Sequence, residues 1–181
     1  MKKILSAIVV LFFVTASYSQ FTKATLKASG LTCAMCSKAV NVALEKIPFV
    51  KEVKANIKTQ EYALVFTGGN NIDFDALSKA VEDAGFSVAS LKVTGNFSDV
   101  KAEKDKHASI SGVNLHFLNG TSEVMNGEKT FTIVDKNFLS AKDFKKYTVS
   151  SKHPCVQNGK AGDCCAKDGI KENERVYHVI I

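Results

Sequence analysis

Between Ala24 and Val93 the spacing of apolar residues switches repeatedly between two periods, and the order of those switches constrains the fold more than any other feature. Ala24, Leu26 and Ala28 alternate with polar neighbours, as on a half-buried strand. Cys36, Ala39, Val40, Ala43, Leu44 and Ile47 then fall at i, i+3, i+4, i+7, i+8 and i+11, one face of an α-helix. Pro48 disfavours helical geometry at Ile47 and ends that helix. Val53, Ala55 and Ile57 alternate on a second strand, Thr59 and Gln60 turn the chain, and Tyr62 to Phe66 return as a third. Gly68-Gly69-Asn70-Asn71 breaks the pattern. Asp73 is placed to cap a second helix, with Phe74, Leu77, Val81 and Ala84 inward and Gly85 just past its end. Val88 to Val93 gives a fourth strand. The order βαββαβ, complete within about 75 residues, is the ferredoxin-like split βαβ arrangement of the α+β class.

Gly30 to Cys36 reads Gly-Leu-Thr-Cys-Ala-Met-Cys, where the first strand gives way to the first helix. Two thiols three positions apart at a helix start can aim both sulfurs at one ion. The free N–H groups and dipole of that helix end favour thiolate over thiol. Thiolates select soft metals: Cu(I), Hg(II), Cd(II) or Zn(II). Together with the βαββαβ order, this loop resembles that of the heavy-metal-associated (HMA) domain, and the resemblance covers residues 21–96. Such domains occur in copper chaperones, metal-ATPase N-termini and the periplasmic mercury-binding protein.

The resemblance implies metal binding by Cys33 and Cys36, with Cu(I) ranked first and Zn(II), Hg(II) or Cd(II) after it. It implies carriage rather than catalysis, and handover to a metal transporter or another metal-binding protein. Leu31 stands where the family commonly has Met, and either residue plugs the loop into the core. Phe86 matches the position packed beside the loop, where soluble eukaryotic copper chaperones commonly carry Lys. Met35 reads as an exposed bystander and Lys38 as a surface lysine. The rival reading of Cys33 and Cys36 is a thiol–disulfide oxidoreductase, since C-x-x-C also serves redox chemistry. A third is a metal-responsive interaction module.

Lys2 and Lys3 precede an apolar run from Ile4 to about Ala16, followed by Ser17-Tyr18-Ser19. This reads as a secretory signal peptide over residues 1–19 with Gln20 as the new N-terminus, and implies a secreted or periplasmic protein without a membrane span after cleavage. Cleavage leaves 22 basic residues against 18 acidic ones, a net charge of +4. Scattered lysines at that modest charge point to no nucleic-acid partner.

From Ser98 to His107 the chain is charged and aperiodic, which reads as a linker joining residues 20–97 to a second domain at 108–181. In that domain, 110–118, 130–134, 147–149 and 175–181 read as strands, Asn119-Gly120 and Asn126-Gly127 as turns, and Ser140 as the cap of a short helix over 141–146. The expectation is a small, mostly β unit of the OB-barrel type. Five cysteines is an odd number for an oxidising compartment. Cys155 with Cys164 or Cys165 reads as a disulfide stapling a small domain. The competing reading is a second metal site using Cys155, Cys164 and Cys165 with His153 or His178. His107 and His116 read as linker and strand residues without a role.

Overall fold

A computed structural model describes residues 20–69, 72–122 and 124–181. The expected signal peptide, with Asn70, Asn71 and Glu123, lies outside the described residues. The elements are β1 (Gln20–Ser29), α1 (Ala34–Glu45), β2 (Val50–Asn56), β3 (Glu61–Phe66), α2 (Phe74–Asp83), β4 (Ser87–Lys101), β5 (Lys106–Ile110), β6 (Val113–Phe117), β7 (Val124–Ile133), α3 (Ala141–Ser150), α4 (Cys155–Asn158), α5 (Asp163–Ala166) and β8 (Val176–Ile180). No helix among the described residues is long and apolar enough to cross a membrane.

The first six elements form the expected βαββαβ unit. Its strands run β2-β3-β1-β4, each antiparallel to its neighbour, with Leu26 opposite Tyr62 on one side and Leu91 on the other. Asp73 caps α2 by accepting from Asp75 N at 3.0 Å. Gly85 follows α2 at φ +88, a left-handed conformation that a side chain disfavours. Val40 and Leu44 of α1 and Phe74, Leu77 and Val81 of α2 are buried with Leu26, Leu64 and Leu91 of the strands.

The sheet does not stop at β4. It continues β4-β7-β8-β6-β5 to make one open eight-stranded sheet, with β6 and β8 parallel and the other neighbours antiparallel. The closed OB-type barrel expected for the C-terminal half is not formed, because β2 and β5 lie at opposite ends of this open order. One apolar cluster crosses the junction. Phe21 of β1 meets Phe74 edge-on at a centroid distance of 5.3 Å and Phe131 of β7 at 5.9 Å.

The segment 98–107, expected as a linker, is the end of β4, a turn and the start of β5. A bulge hides the strand pattern: the β4–β7 register shifts between Phe97 and Val100, and Asp99 lies at φ +53. Phe97 and Ala102 are nevertheless buried. Asn126 and Gly127 are not a chain reversal but lie in β7 opposite this bulge, where Asn126 Oδ1 accepts from Asp99 N at 2.9 Å. Residues 147–149, expected as a strand, belong to α3. Ser140 Oγ accepts from Asp143 N at 3.2 Å, and the helix that it caps runs through the β-branched Thr148 and Val149. All five residues of β6 are buried, as on a strand covered on both faces.

Candidate metal centre

The loop between β1 and α1 is fixed from three directions. Gly30 takes φ +86, and a Cβ there would lie 3.8 Å from Phe86 Cδ1, so the Phe86 ring lines the loop as expected. Leu31 is 7% exposed and plugs into the core, while its carbonyl accepts from Gln60 Nε2 at 2.8 Å. Tyr62 OH donates to Ser37 O at 3.2 Å, tying the first turn of α1 to β3.

Cys33 is the N-cap of α1 in extended geometry, and its sulfur accepts from Cys36 N at 3.4 Å. The two sulfurs are 2.8 Å apart, with Cys33 exposed and Cys36 half-buried. The hydrogen bond with Cys33 lowers the Cys36 thiol below its ordinary range, outweighing a small opposing effect of desolvation. An accessible pair with thiolate character could hold one soft ion from the protein side and leave its outer face open. Met35 is 74% exposed on this rim, and Lys38 is exposed one turn into the helix.

The residues singled out in the C-terminal half also converge. One ligand atom each from Cys155, Cys164 and Cys165 lies within 4.8 Å of the other two, and the Cys164 and Cys165 sulfurs are 3.4 Å apart. All five cysteines are thiols, so the expected disulfide from Cys155 is not formed in this structure. Burial raises the Cys164 thiol, but hydrogen bonds from His153 and the neighbouring cysteines prevail and bring it to about 7. No group of clustered ligand atoms found among the described residues includes His178, whose Nδ1 is 2.6 Å from Asp135 Oδ1.

Two residues read from sequence as having no role belong to this cluster. His107 Nε2 is 3.4 Å from Cys165 Sγ and 3.9 Å from Cys155 Sγ, while His116 Nδ1 is 3.7 Å from Cys155 Sγ. The chain has four histidines. Their rings form one connected group, with centroids 4.2 Å apart for His107–His116, 5.0 Å for His116–His153 and 5.1 Å for His116–His178. The available sequence signal was that all four lie beyond residue 106, two of them flanking a short hairpin.

Residues 25–87 match the heavy-metal-associated domain model. The mercuric transport protein periplasmic component of Pseudomonas fluorescens is 33% identical over 86 residues, spanning 48% of this chain and 93% of that protein. The probable copper-exporting P-type ATPase of Archaeoglobus fulgidus is 32% identical over 108 residues, spanning 58% of this chain. This chain covers only 13% of that ATPase, and 8% of the copper-transporting ATPase 1 of Rhizobium meliloti. The crystal structure of oxidized MerP from Ralstonia metallidurans CH34 aligns at 28% identity with a TM-score of 0.35, over 38% of this chain and 94% of that one. Through residues 25–87 the chain belongs to the heavy-metal-associated domain family.

Proposed function

We propose that the protein carries a soft metal ion between Cys33 and Cys36, Cu(I) foremost, in an exported compartment, and passes it to a metal transporter or another metal-binding protein. The observation that carries this reading is the exposed thiol pair, 2.8 Å between sulfurs, on a loop pinned by Leu31, Phe86 and Gln60. Copper-exporting and mercuric-transport relatives support a soft cargo. The preference for Cu(I) rests on thiolate softness and on copper being routinely met outside the cytoplasm. The signal-like features of residues 1–19 support export.

Transfer proceeds by ligand exchange. A partner thiolate adds to the ion, a three-coordinate species forms, and one of the two cysteine sulfurs leaves and takes up a proton. A second partner thiolate then displaces the other cysteine sulfur in the same way, and the oxidation state of the ion does not change. The open face of the loop admits such a partner. Titration of the reduced protein with Cu(I) against a competing chelator should lose one equivalent in Cys33→Ser, Cys36→Ser and keep it in Cys155→Ser, Cys165→Ser. Unchanged stoichiometry and affinity in the first variant would sink the assignment. Insulin reduction by the metal-free protein would favour the oxidoreductase reading instead. N-terminal sequencing of the exported protein should begin at Gln20.

A further inference from the structure

We propose that the C-terminal half holds a second, buried metal centre, a tetrahedral Zn(II) site whose ligands are His107 Nε2, His116 Nδ1, Cys155 Sγ and Cys165 Sγ. The four residues come from four elements. His107 on β5 and His116 on β6 face each other across the hairpin as a registered pair. Cys155 opens α4 and Cys165 lies in α5. All four are buried, with His116 and Cys165 at 0% exposure, Cys155 at 1% and His107 at 9%.

The spacings fit an ion. Zinc bonds of about 2.3 Å to sulfur and about 2.0–2.1 Å to nitrogen, arranged tetrahedrally, place neighbouring donor atoms about 3.3–3.8 Å apart, with sulfur and nitrogen about 3.5 Å apart. Three of the four sulfur-to-nitrogen separations in this set are 3.4, 3.7 and 3.9 Å, and the Cys155 and Cys165 sulfurs lie within 4.8 Å of each other. Sulfur is a weak hydrogen-bonding partner, so thiol–imidazole contacts alone would be a small return for burying these groups.

The imidazoles are oriented for ligation. Asp168 Oδ2 accepts from His107 Nδ1 at 2.7 Å, which leaves Nε2 as the lone pair turned toward the sulfurs. A carboxylate behind a histidine is the arrangement that fixes the ring and raises its basicity toward a metal. His116 Nε2 is buried without a hydrogen-bond partner and lies 3.8 Å from Asp105 Oδ1. Ligation through Nδ1 fixes the proton on Nε2, where it faces that carboxylate.

Charge selects the ion. Two thiolates with Zn(II) make a neutral core, whereas Cu(I) on the same ligands would leave a net negative charge in a buried place. Two imidazoles with two thiolates in a tetrahedral arrangement are a donor set that suits zinc. Cys164, half-buried and hydrogen-bonded to His153, stands at the edge as a neighbour of the ligand set. The two centres then differ in kind: an open pair for a travelling ion, and a closed site for a resident one. The resident ion ties α4 and α5, each only four residues long, to the β5–β6 hairpin. Helices that short do not persist on backbone hydrogen bonds alone.

The test uses the full chain purified under reducing conditions and passed through gel filtration with a weak chelator. Cys33→Ser, Cys36→Ser should retain one zinc per chain by elemental analysis, which separates this site from the exchangeable pair. Cys155→Ser, Cys165→Ser should retain none there. Co(II) loaded into the Cys33→Ser, Cys36→Ser variant should give the absorption of tetrahedral thiolate-bound cobalt. Asp168→Asn, which leaves every ligand in place, should weaken zinc binding about 10–100-fold with an unchanged far-UV spectrum. The proposal is overturned if Cys33→Ser, Cys36→Ser holds no zinc, or if the Asp168→Asn protein folds and binds as before. Peptide mapping that finds Cys155 disulfide-bonded to Cys164 or Cys165 in the exported protein would overturn it equally.

Discussion

Replacing Asp75 by alanine removes the carboxylate that joins α2 to the start of β8. Arg175 donates to it twice, Nε to Oδ2 at 2.6 Å and Nη2 to Oδ1 at 3.0 Å, a bidentate pair. The same guanidinium donates to Asp135 Oδ2 at 3.0 Å and to the Gly159 and Val176 carbonyls, and lies 4.1 Å from the Tyr177 ring centroid. The Arg175 and Asp75 side chains are 29% and 33% exposed. Their pair therefore falls between surface pairs worth about 0.2–1 kcal/mol and buried ones whose breakage costs about 3–5 kcal/mol. Asp75→Ala should cost about 2 kcal/mol, and Arg175→Met about 3 kcal/mol because Asp135 then loses its guanidinium in a buried position. The double variant should fall short of the sum by about 1–2 kcal/mol. In a domain of this size Asp75→Ala lowers Tm by about 4–8 °C. Urea and thermal unfolding of the reduced protein, followed by far-UV circular dichroism and tyrosine fluorescence, give these values. A coupling below about 0.5 kcal/mol would refute the view that this pair holds the two parts of the sheet together. So would two separate transitions of which only one moves.

Because its hydrogen bond with Cys33 lowers the Cys36 thiol, Cys36 should be alkylated faster near neutral pH in the folded chain than in urea, and Cys33→Ala should move its profile to higher pH. Mass spectrometry of alkylated peptides reads this, and coincident profiles would contradict it. Ser140→Ala removes the α3 cap at Asp143 N and should cost about 1 kcal/mol in urea unfolding. A Cβ at Gly120 would overlap the Ala102 backbone carbonyl, so Gly120→Ala should cost about 3 kcal/mol. Gly127→Ala, left-handed at φ +74 but with open space around it, should cost only about 1–2 kcal/mol. Equal losses from the two glycine variants would count against the close approach at Ala102.

The sequence by itself determined the βαββαβ unit and the Cys33–Cys36 loop, because both are written in local order. Helix and strand periods there run through most of each element, although β1 and β2 carry bulges and Ile57 lies exposed beyond the end of β2. Asp73 and Gly85 mark the ends of α2, and the two thiols are three residues apart. Tertiary structure decided the rest. The Asp99 bulge interrupts the period of β4, so a paired strand reads as a charged linker. A strand buried on both faces, as β6 is, shows no alternation to follow. The Ser140 cap carries α3 through residues whose own preference is for strand. The buried cluster depends on contacts between residues far apart in the chain. Cys155 is 48 positions from His107 and 39 from His116, and Cys165 is 58 from His107. A ligand set with such separations has no sequence spacing to recognise. It exists only once the β5–β6 hairpin and the parallel pairing of β6 with β8 bring those strands against α4 and α5.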